Sequence, residues 1–279
     1  MPWVPELFSA PALERLGERH RRDHPGPIPY FTGLETGDVD AMVNSFGGVP
    51  ELHHPVRGRI KGERAFATFV TETNAWIAER NISVENVDHL ITKPRGVEEA
   101  VLHLDGETGR VDLLVAIVAD RHADGRIDEL RIYYSNWPLT GRHTNRPPLL
   151  QRDPELRMSD VVAEYQRALA TGDVDAIVAA FEPDGYARAP AGGQHNRGDR
   201  DGPRAFYERL FSSGGGISLE HCNLVDDGRA CALEYNVVRW GKTQLPPQAG
   251  VAVYVRGQSG KLAAARVYSD ADPPLRPQM

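Results

Sequence analysis

The sequence predicts an α+β protein of two tandem domains, each with three helices that pack on an antiparallel sheet. The first observation is a repeat: TGDVDAMVNSF begins at Thr36, and TGDVDAIVAAF begins at Thr171, 135 positions later. Tyr30 and Tyr165 share the same offset. The second observation is that helical periodicity precedes strand-like alternation in each repeat. An offset kept over about a hundred residues indicates a duplicated domain, since solenoid repeats have periods of only about 20–50 residues.

The three helices of each repeat are predicted from capping signals and apolar spacing. The Gly-Asp pair at 37–38 and again at 172–173 is typical of a helix C-cap followed by an N-cap, so it predicts a tight corner between the first two helices. Third helices are expected over Glu63–Glu79 and Gly202–Phe211. Asp38 and Asp173 are therefore interpreted as capping residues, not as catalytic ones.

Strand patterns fill the remainder of each repeat. The first repeat contains VEEAVLHLDG, VDLLVAIVADRH and IDELRIYYS, and the second contains RACALEYNVVRWG, AGVAVYVRG and KLAAARVYSD. These patterns predict three or four antiparallel strands per domain, with ADGR and QSGK as hairpin turns. The expected organisation is an N-terminal arm (1–25), a first domain (26–140), a linker (141–157) and a second domain (158–275).

Composition excludes several classes of function. A formal net charge of −7 argues against binding to a phosphate backbone, so no nucleic-acid partner is expected. No apolar run is long enough to cross a bilayer and no secretory signal opens the chain, so we expect a cytoplasmic protein with no membrane partner. Cys222 and Cys231 are expected to be ordinary thiols.

Metal and cofactor motifs are also missing from the sequence. The ten histidines are scattered, and the pair His53–His54 lacks the helical spacing of strong zinc motifs. The sequence contains neither a glycine-rich phosphate cradle nor a nucleophile elbow. The expectation is therefore a protein with no metal and no cofactor.

The helix–Gly-Asp–helix order and the stretch VVAEYQRALATGDVDAIVAAFEPDGYARAPAGG resemble the nuclear transport factor 2-like superfamily. That superfamily includes ketosteroid isomerase and the SnoaL-like polyketide cyclases. The resemblance covers nearly the whole chain, once per repeat. It implies two cones, each with a curved sheet, packed sheet to sheet as a pseudo-dimer within a monomer. It implies a fold more strongly than a reaction, because this fold hosts many activities.

The ketosteroid isomerase resemblance also implies candidate site residues. In that enzyme an Asp is the base, while a Tyr and a protonated Asp stabilise the oxyanion. The oxyanion Tyr corresponds to Tyr30 and Tyr165, and the base position holds His54 in the first repeat and an alanine in the second. The second oxyanion acid corresponds to Ile117 and Ala252, which cannot donate. The first cone would then hold a Tyr–His pair and the second a lone Tyr.

Glu234 is the main catalytic candidate of the second cone. If Ala252 points into the cone, the inward face of the neighbouring strand should carry Glu234, Asn236 and Trp240, close to Tyr165 and Tyr254. The outer face would then carry Leu233, Tyr235 and Val237; a slip of one residue exchanges the two faces. A desolvated carboxylate there would suit a proton shuttle, and a glutamate at the rim or paired with arginine is the alternative.

Other candidates come from alignment and position. Aligning Gly96 with Gly228 places Leu102 and Leu104 opposite Glu234 and Asn236, which predicts a more apolar first cone. The remaining candidates are Asp270, where SnoaL-like cyclases are expected to hold an acid–base Asp and the first repeat has Ser135; His195, in a glycine-rich flexible loop; and Tyr134, as a substrate contact.

Three functions are compatible with these residues. The first is a cofactor-free acid/base enzyme, of isomerase, cyclase or dehydratase type, acting on a hydrophobic carbonyl-bearing small molecule such as a polyketide or terpenoid intermediate. The second is a non-catalytic small-molecule-binding protein. Of the two cones, the first is the one expected to have lost catalysis, and its main role could be to cover the sheet of the second. The third is an epoxide hydrolase of the limonene type, for which only Arg239 and Asp270 are available.

Overall fold

A computed structural model describes residues 26, 28, 30–107, 109–200 and 202–272. The predicted arm (1–25) and the last residues of the predicted second domain (273–275) lie outside this range. Domain 1 comprises α1 (Tyr30–Thr36), α2 (Val39–Asn44), β1 (Glu51–His54), β2 (Gly58–Lys61), α3 (Glu63–Glu79), β3 (Ser83–Ile91), β4 (Arg95–Gly106), β5 (Gly109–Arg121), β6 (Ile127–Tyr133) and α4 (Trp137–Thr140). Domain 2 comprises α5 (Asp160–Thr171), α6 (Val174–Ala179), β7 (Phe181–Arg188), β8 (Gln194–Asn196), α7 (Pro203–Leu210), β9 (Ile217–Asp226), β10 (Ala230–Trp240), β11 (Thr243–Arg256) and β12 (Leu262–Ser269).

Each domain contains one six-stranded sheet, and the two sheets have the same strand order. The orders are β2-β1-β6-β5-β4-β3 and β8-β7-β12-β11-β10-β9. Neighbours are antiparallel except β1 with β6 and β7 with β12, which are parallel. The predicted α+β class is confirmed. The predicted strand count was too low, because β1, β2 and β8 are short and β3 is largely exposed, so none of them has a clear apolar alternation.

The repeated Gly-Asp pair forms the predicted corner in both domains. The side chain of Asp38 accepts a hydrogen bond from the backbone N–H of Ala41 (2.9 Å), and Asp173 accepts one from Ala176 (3.0 Å). Gly172 has φ 79°, and a Cβ there would lie 2.9 Å from the backbone of a neighbouring glycine. The repeated Gly-Asp pair is therefore explained by backbone conformation. The glycine ends one helix in the left-handed region, and the aspartate caps the start of the next helix.

The two sheets pack against each other through one apolar face each. One buried cluster contains residues of both domains: Leu90, Val97, Val101, Leu114, Ala116, Val118 and Tyr133 from domain 1, and Val225, Ala230, Ala232, Ala249, Val251, Val253 and Tyr268 from domain 2. The helices cover the opposite face of each sheet, where each domain has a core of its own. The sheet-to-sheet packing expected of a pseudo-dimer is therefore present within the chain.

The predicted linker runs along this interface. The backbone N–H of Asn145 donates to the carbonyl of Asp270 (3.2 Å), and that of Ala249 donates to the carbonyl of Arg146 (2.9 Å). Both cysteines are free thiols, as expected. Within the described ranges, no helix has the length and apolar character needed to cross a membrane.

Candidate functional site

A cavity of about 610 Å³ lies in domain 1, between its helices and its sheet. Most of its wall is apolar; the apolar lining residues are Phe31, Leu34, Val56, Trp76, Ile77, Ile82, Val84, Leu102, Leu104, Leu113, Val115, Ile132 and Leu139. The alternation of β4 and β5 places Leu102, Leu104 and Leu113 on this face and Val101 and Leu114 in the interface. The predicted apolar character of the first cone, with Leu102 and Leu104 in its wall, is confirmed. Such a volume is typical of small-molecule sites, which measure about 300–1,000 Å³.

Three polar side chains form what we call the donor end of the cavity: Tyr30, His54 and Tyr134. They come from the start of α1, the end of β1 and the residue after β6. The hydroxyl of Tyr134 lies 3.4 Å from Nε2 of His54. Within the described part of the chain, the hydroxyl of Tyr30 has no hydrogen-bond partner. All three candidates from the first repeat therefore meet in one place, around a cavity.

The hydrogen bonds of His54 decide its tautomer. Its Nδ1 faces the backbone N–H groups of Val56 and Arg57, each at 3.2 Å, so Nδ1 must be the acceptor. Burial, followed by the positive charges of Arg57 and Arg146, lowers the pKa of His54 to about 3. At neutral pH the imidazole is therefore uncharged and carries its proton on Nε2. This geometry makes His54 a hydrogen-bond donor toward Tyr134 and the cavity, in place of the base expected from the sequence.

The two phenols are donors as well. Burial raises the pKa of Tyr30 far above its usual value, and burial also raises the pKa of Tyr134. Both hydroxyls are therefore protonated at neutral pH. The donor end presents three neutral donors, and a substrate oxygen with lone pairs is their natural partner.

Carboxylates line only the opposite, acidic end of the cavity, formed by Glu79, Asp105 and Glu107. All three are exposed to solvent. In the sheet, Asp105 of β4 lies opposite Arg110 of β5. Tyr133, the residue before Tyr134, lies opposite Ala116 of β5, which is six residues further along that strand. At a rise of about 3.4 Å per residue this separation corresponds to about 20 Å. None of these carboxylates is therefore placed to take a proton at the donor end.

The corresponding space in domain 2 is filled by tyrosine side chains. The hydroxyls of Tyr165 and Tyr207 lie 2.5 Å apart, and Tyr254 accepts a hydrogen bond of 2.6 Å from Gln166. The ring centroids of Tyr165 and Tyr254 are 5.3 Å apart, and both residues are at most 2% exposed. The expectation that the second cone holds an open site next to Tyr165 is wrong, because aromatic packing occupies that volume.

Two substitutions between the repeats account for this difference. At the 135-residue offset, Tyr235 and Tyr254 of domain 2 correspond to Ala100 and Ala119 of domain 1. A Cβ on Gly250 would lie 2.7 Å from the Tyr235 ring, so a glycine is needed beneath that ring. Replacing two small residues by two phenols removes cavity volume at a fixed backbone geometry.

Glu234 points into the interface between the domains, so its predicted position in the second cone is wrong. Leu233 pairs directly with Ala252, which places these two residues on the cone face and Glu234 on the other. The register slip that would exchange the faces is the one observed. Glu234 is 2% exposed and accepts hydrogen bonds from Arg131, through Nε (2.7 Å) and Nη2 (3.0 Å), and from the Tyr133 hydroxyl (2.6 Å).

A second glutamate repeats this arrangement in the other direction. Glu99, at the 135-residue offset from Glu234, accepts hydrogen bonds from Arg266 (Nε, 2.8 Å) and from the Tyr268 hydroxyl (2.5 Å). Arg266 and Tyr268 are themselves the offset equivalents of Arg131 and Tyr133. Each domain therefore supplies a buried glutamate to an arginine and a tyrosine of the other, which indicates a structural role for both glutamates. The three residue pairs share the 135-residue offset in the sequence. Alignment on Gly96 and Gly228 uses a different offset and therefore does not match Glu99 with Glu234.

The substrate-contact candidates Asn236 and Trp240 also lie away from a cavity. Asn236 shares the interface side of β10 with Glu234 and donates to the carbonyl of Leu150 in the linker (3.1 Å). Trp240 donates through Nε1 to the carbonyl of Leu210 at the end of α7 (3.1 Å). Both side chains therefore fix loops and helix ends of domain 2.

Asp270 and His195 have other surroundings than those predicted. Asp270 is 3% exposed and accepts hydrogen bonds from Ser135 (2.7 Å), His143 (3.0 Å) and Thr144 (2.6 Å), so it fastens the linker to the end of β12. His195 lies in β8, paired with β7, and not in a flexible loop; its ring stacks on Phe206 with centroids 4.4 Å apart. Neither residue lines the domain 1 cavity.

The two residues available for an epoxide hydrolase of the limonene type, Arg239 and Asp270, do not form one site. Arg239 donates to the carbonyls of Gly241 (2.5 Å) and Ala170 (3.0 Å), and thereby closes the start of β9 against α5. Asp270 is instead bonded to the linker. The two side chains have separate partners, and this arrangement argues against that chemistry.

Glu51, His53 and Glu129 bring three potential metal-ligand atoms within 4.8 Å of one another. Cations already neutralise the carboxylates, since Glu51 pairs with Arg59 (2.5 Å) and Glu129 pairs with Arg131 (2.7 Å). The cluster is therefore explained as an ion-pair network on the surface of β1 and β6.

Residues 162–265 match the family of SnoaL-like domains. Domain 2 is a SnoaL-like domain. Domain 1 has the same order of strands as domain 2. The two matching sheets and the shared offset support a tandem duplication.

Solved structures similar to this chain each align over about one domain. An NTF2-like protein from Cytophaga hutchinsonii is 14% identical, with 37% of this chain and 89% of that chain covered and a TM-score of 0.32. SalBIII, described as an epoxide hydrolase/cyclase-like enzyme in pyran ring formation in the polyether salinomycin, is 18% identical, with 42% and 92% covered and a TM-score of 0.33. A protein from Sinorhizobium meliloti that is described as a polyketide cyclase is 19% identical. The alignment covers 37% of this chain and 88% of that chain, with a TM-score of 0.30. No curated protein matches the chain.

Proposed function

We propose that domain 1 binds a hydrophobic small molecule that carries a carbonyl oxygen. The observation that carries this proposal is the cavity of about 610 Å³ with apolar walls and three neutral donors, Tyr30, His54 and Tyr134, at one end. The apolar wall supplies affinity by removing hydrocarbon from water, and the donors select an oxygen with free lone pairs. Domain 2 supplies the second sheet, whose contact buries the outer face of the domain 1 sheet.

Titration calorimetry with 2-decanone, a neutral apolar ketone, tests the binding function. Replacing Tyr134 by Phe removes one donor and should weaken binding about fivefold, since a hydrogen bond contributes about 1 kcal/mol. Tyr30→Phe should act similarly. Tyr165→Phe is the matched control: it makes the same change at the equivalent position of the filled cone, and affinity should stay constant. Equal weakening by Tyr165→Phe would refute the placement of the site in domain 1.

An acid-assisted isomerase or cyclase is the second candidate function, because the same donors would stabilise an enolate oxygen. In that step the α-carbon loses a proton to solvent water. The electron pair of the C–H bond becomes the C=C bond of the enolate, and the π pair of the C=O bond moves onto the oxygen, where the donors hold it. Only protons move, so the step itself requires no redox cofactor. The catalytic role rests on His54 as donor, because the carboxylates that line the cavity lie at its opposite end.

Exchange of deuterium from D₂O into the α-carbons of 2-decanone, followed by NMR, separates the two functions. An enolising site should accelerate this exchange above the buffer rate, and Tyr134→Phe should reduce the acceleration. If the ketone binds but deuterium exchange proceeds at the buffer rate, the protein binds its ligand without catalysing enolisation.

A further inference from the structure

A guanidinium group lies beside the donors at their end of the cavity. Arg57, in the turn between β1 and β2, lines the cavity, and its guanidinium lies 5.5 Å from the centroid of the Phe69 ring. One of its nitrogens, Nη1, bonds to Glu72 at 2.6 Å. Arginine has five N–H donors, so this contact with an exposed glutamate leaves Arg57 able to bind a further group.

A second guanidinium is buried behind this end without a counter-ion. Arg146 is 6% exposed and donates to the carbonyl of Ile132, a residue of the cavity wall. Its guanidinium lies 5.1 Å from the centroid of the Tyr133 ring. Its Nη2 is buried and has no hydrogen-bond partner among the described residues, and none of the described carboxylates forms an ion pair with it. A buried cation without an ion-pair partner leaves a positive potential around it.

Two neighbouring groups respond to this potential. The charges of Arg57 and Arg146 both act to lower the pKa of His54, in addition to the larger effect of burial. Both charges also act to lower the pKa of Tyr134, against the dominant effect of burial and the opposing charge of Asp270. The donor end therefore combines neutral donors with two cations, while the carboxylates that line the cavity lie at its other end.

We propose that the ligand of domain 1 is an apolar carboxylic acid, bound with its carboxylate against Arg57, Tyr30, Tyr134 and Nε2–H of His54. This inference rests on the proposed binding function and specifies its ligand class. A carboxylate is a pure acceptor with about four lone-pair sites, which matches four donor groups at the cavity. A hydrogen bond between charged partners is about twice as strong as a neutral one. The hydrocarbon chain then extends along Leu102 and Leu104 toward the opposite end, where Arg80 pairs with Glu79 (3.7 Å) and Arg110 pairs with Asp105 (2.8 Å).

Calorimetric titration with decanoate and decanamide at pH 8 tests the carboxylate preference. The two compounds have the same chain and differ in head-group charge. Decanoate should bind at least tenfold more tightly than decanamide. Arg57→Gln should weaken decanoate binding far more than decanamide binding and so remove most of this difference, and Glu72→Gln, which frees Arg57, should tighten decanoate binding. Arg204→Gln, which removes an exposed arginine paired with Asp175 in domain 2, controls for net charge and should change neither affinity.

A second measurement reports on the site itself. A carboxylate in contact with Nε2–H of His54 should raise the pKa of this imidazole, so its NMR titration should move to higher pH with decanoate and stay in place with decanamide. Equal affinity of the two compounds, or a decanoate preference that survives Arg57→Gln, would overturn the carboxylate assignment. Binding of 2-decanone in that case would leave the proposed function intact. Failure of decanoate, decanamide and 2-decanone alike to bind would overturn the proposed function and this inference together.

Discussion

Replacing Glu234 by Gln should destabilise the protein while leaving ligand binding unchanged. The carboxylate of Glu234 accepts four hydrogen bonds in the interface: two from Arg131, one from Tyr133 (2.6 Å) and one from Asn223 (2.6 Å). Two of these donors converge on each oxygen. Glutamine keeps one acceptor oxygen and presents an NH₂ group at the other position, so two donors lose their acceptor whichever way the amide is oriented.

The magnitude follows from counting these donors. A buried donor without an acceptor costs about 1–3 kcal/mol, so two of them cost about 2–6 kcal/mol. Arg131 also bonds to Asp120 and Glu129, each at 2.7 Å, so its charge stays neutralised after the substitution. The expected loss is therefore in the lower half of this range, about 3 kcal/mol in the free energy of unfolding.

Urea denaturation followed by circular dichroism measures this loss, since the unfolding free energy falls linearly with urea concentration. Glu99→Gln is the matched variant in the reciprocal trio and should cost a similar amount. Glu164→Gln, at an exposed position, should change stability by less than about 0.5 kcal/mol. A stability change of less than about 0.5 kcal/mol for Glu234→Gln would refute the interface role. A loss of 2-decanone binding at unchanged stability would instead indicate that Glu234 belongs to a binding site.

Two further predictions concern His54 and the helix corners. Burial holds the folded-state pKa of His54 at about 3, below its unfolded value of about 6.5, so the stability that the neutral imidazole contributes is complete above pH 6.5 and is lost as the pH falls toward 3. NMR titration should show no change in the His54 ring between pH 5 and 8. By contrast, the hydrogen bond to Asp112 raises the pKa of His103. A midpoint near pH 6.5 for His54 would contradict the assignment. Asp173→Ala should cost about 1 kcal/mol in thermal unfolding, because it removes the N-cap of α6, and no measurable cost would mean that the cap is dispensable.

Local patterns were sufficient to predict the first three helices of each repeat. The Gly-Asp pairs carry their own conformational signal, and the third helix was expected over Glu63–Glu79, where it begins and ends in the structure. The long strand β4 was predicted from its alternation, and β5 was predicted from its apolar run. Short edge strands such as β8 escaped, because three residues are too few to show a period.

The candidate site was predicted only in part. Tyr30, His54 and Tyr134 were named from the sequence, and they meet at the cavity. Assigning His54 as a base was an inference from family position; its tautomer depends on two backbone N–H groups of the following turn. Glu234 was placed on the wrong face, because the pairing of β10 with β11 is not encoded in either strand alone.

The sequence by itself determined that this chain is a doubled α+β unit, because capping residues, periodicity and the 135-residue offset are local or additive signals. Only the tertiary structure decided which unit keeps a hollow cone. Cavity volume depends on side chains that meet across the sheet, such as Tyr235 and Tyr254 in domain 2, against alanines in domain 1. The direction of a strand's faces depends equally on its neighbours, because a shift of one residue moves a glutamate from a cone into an interface between domains.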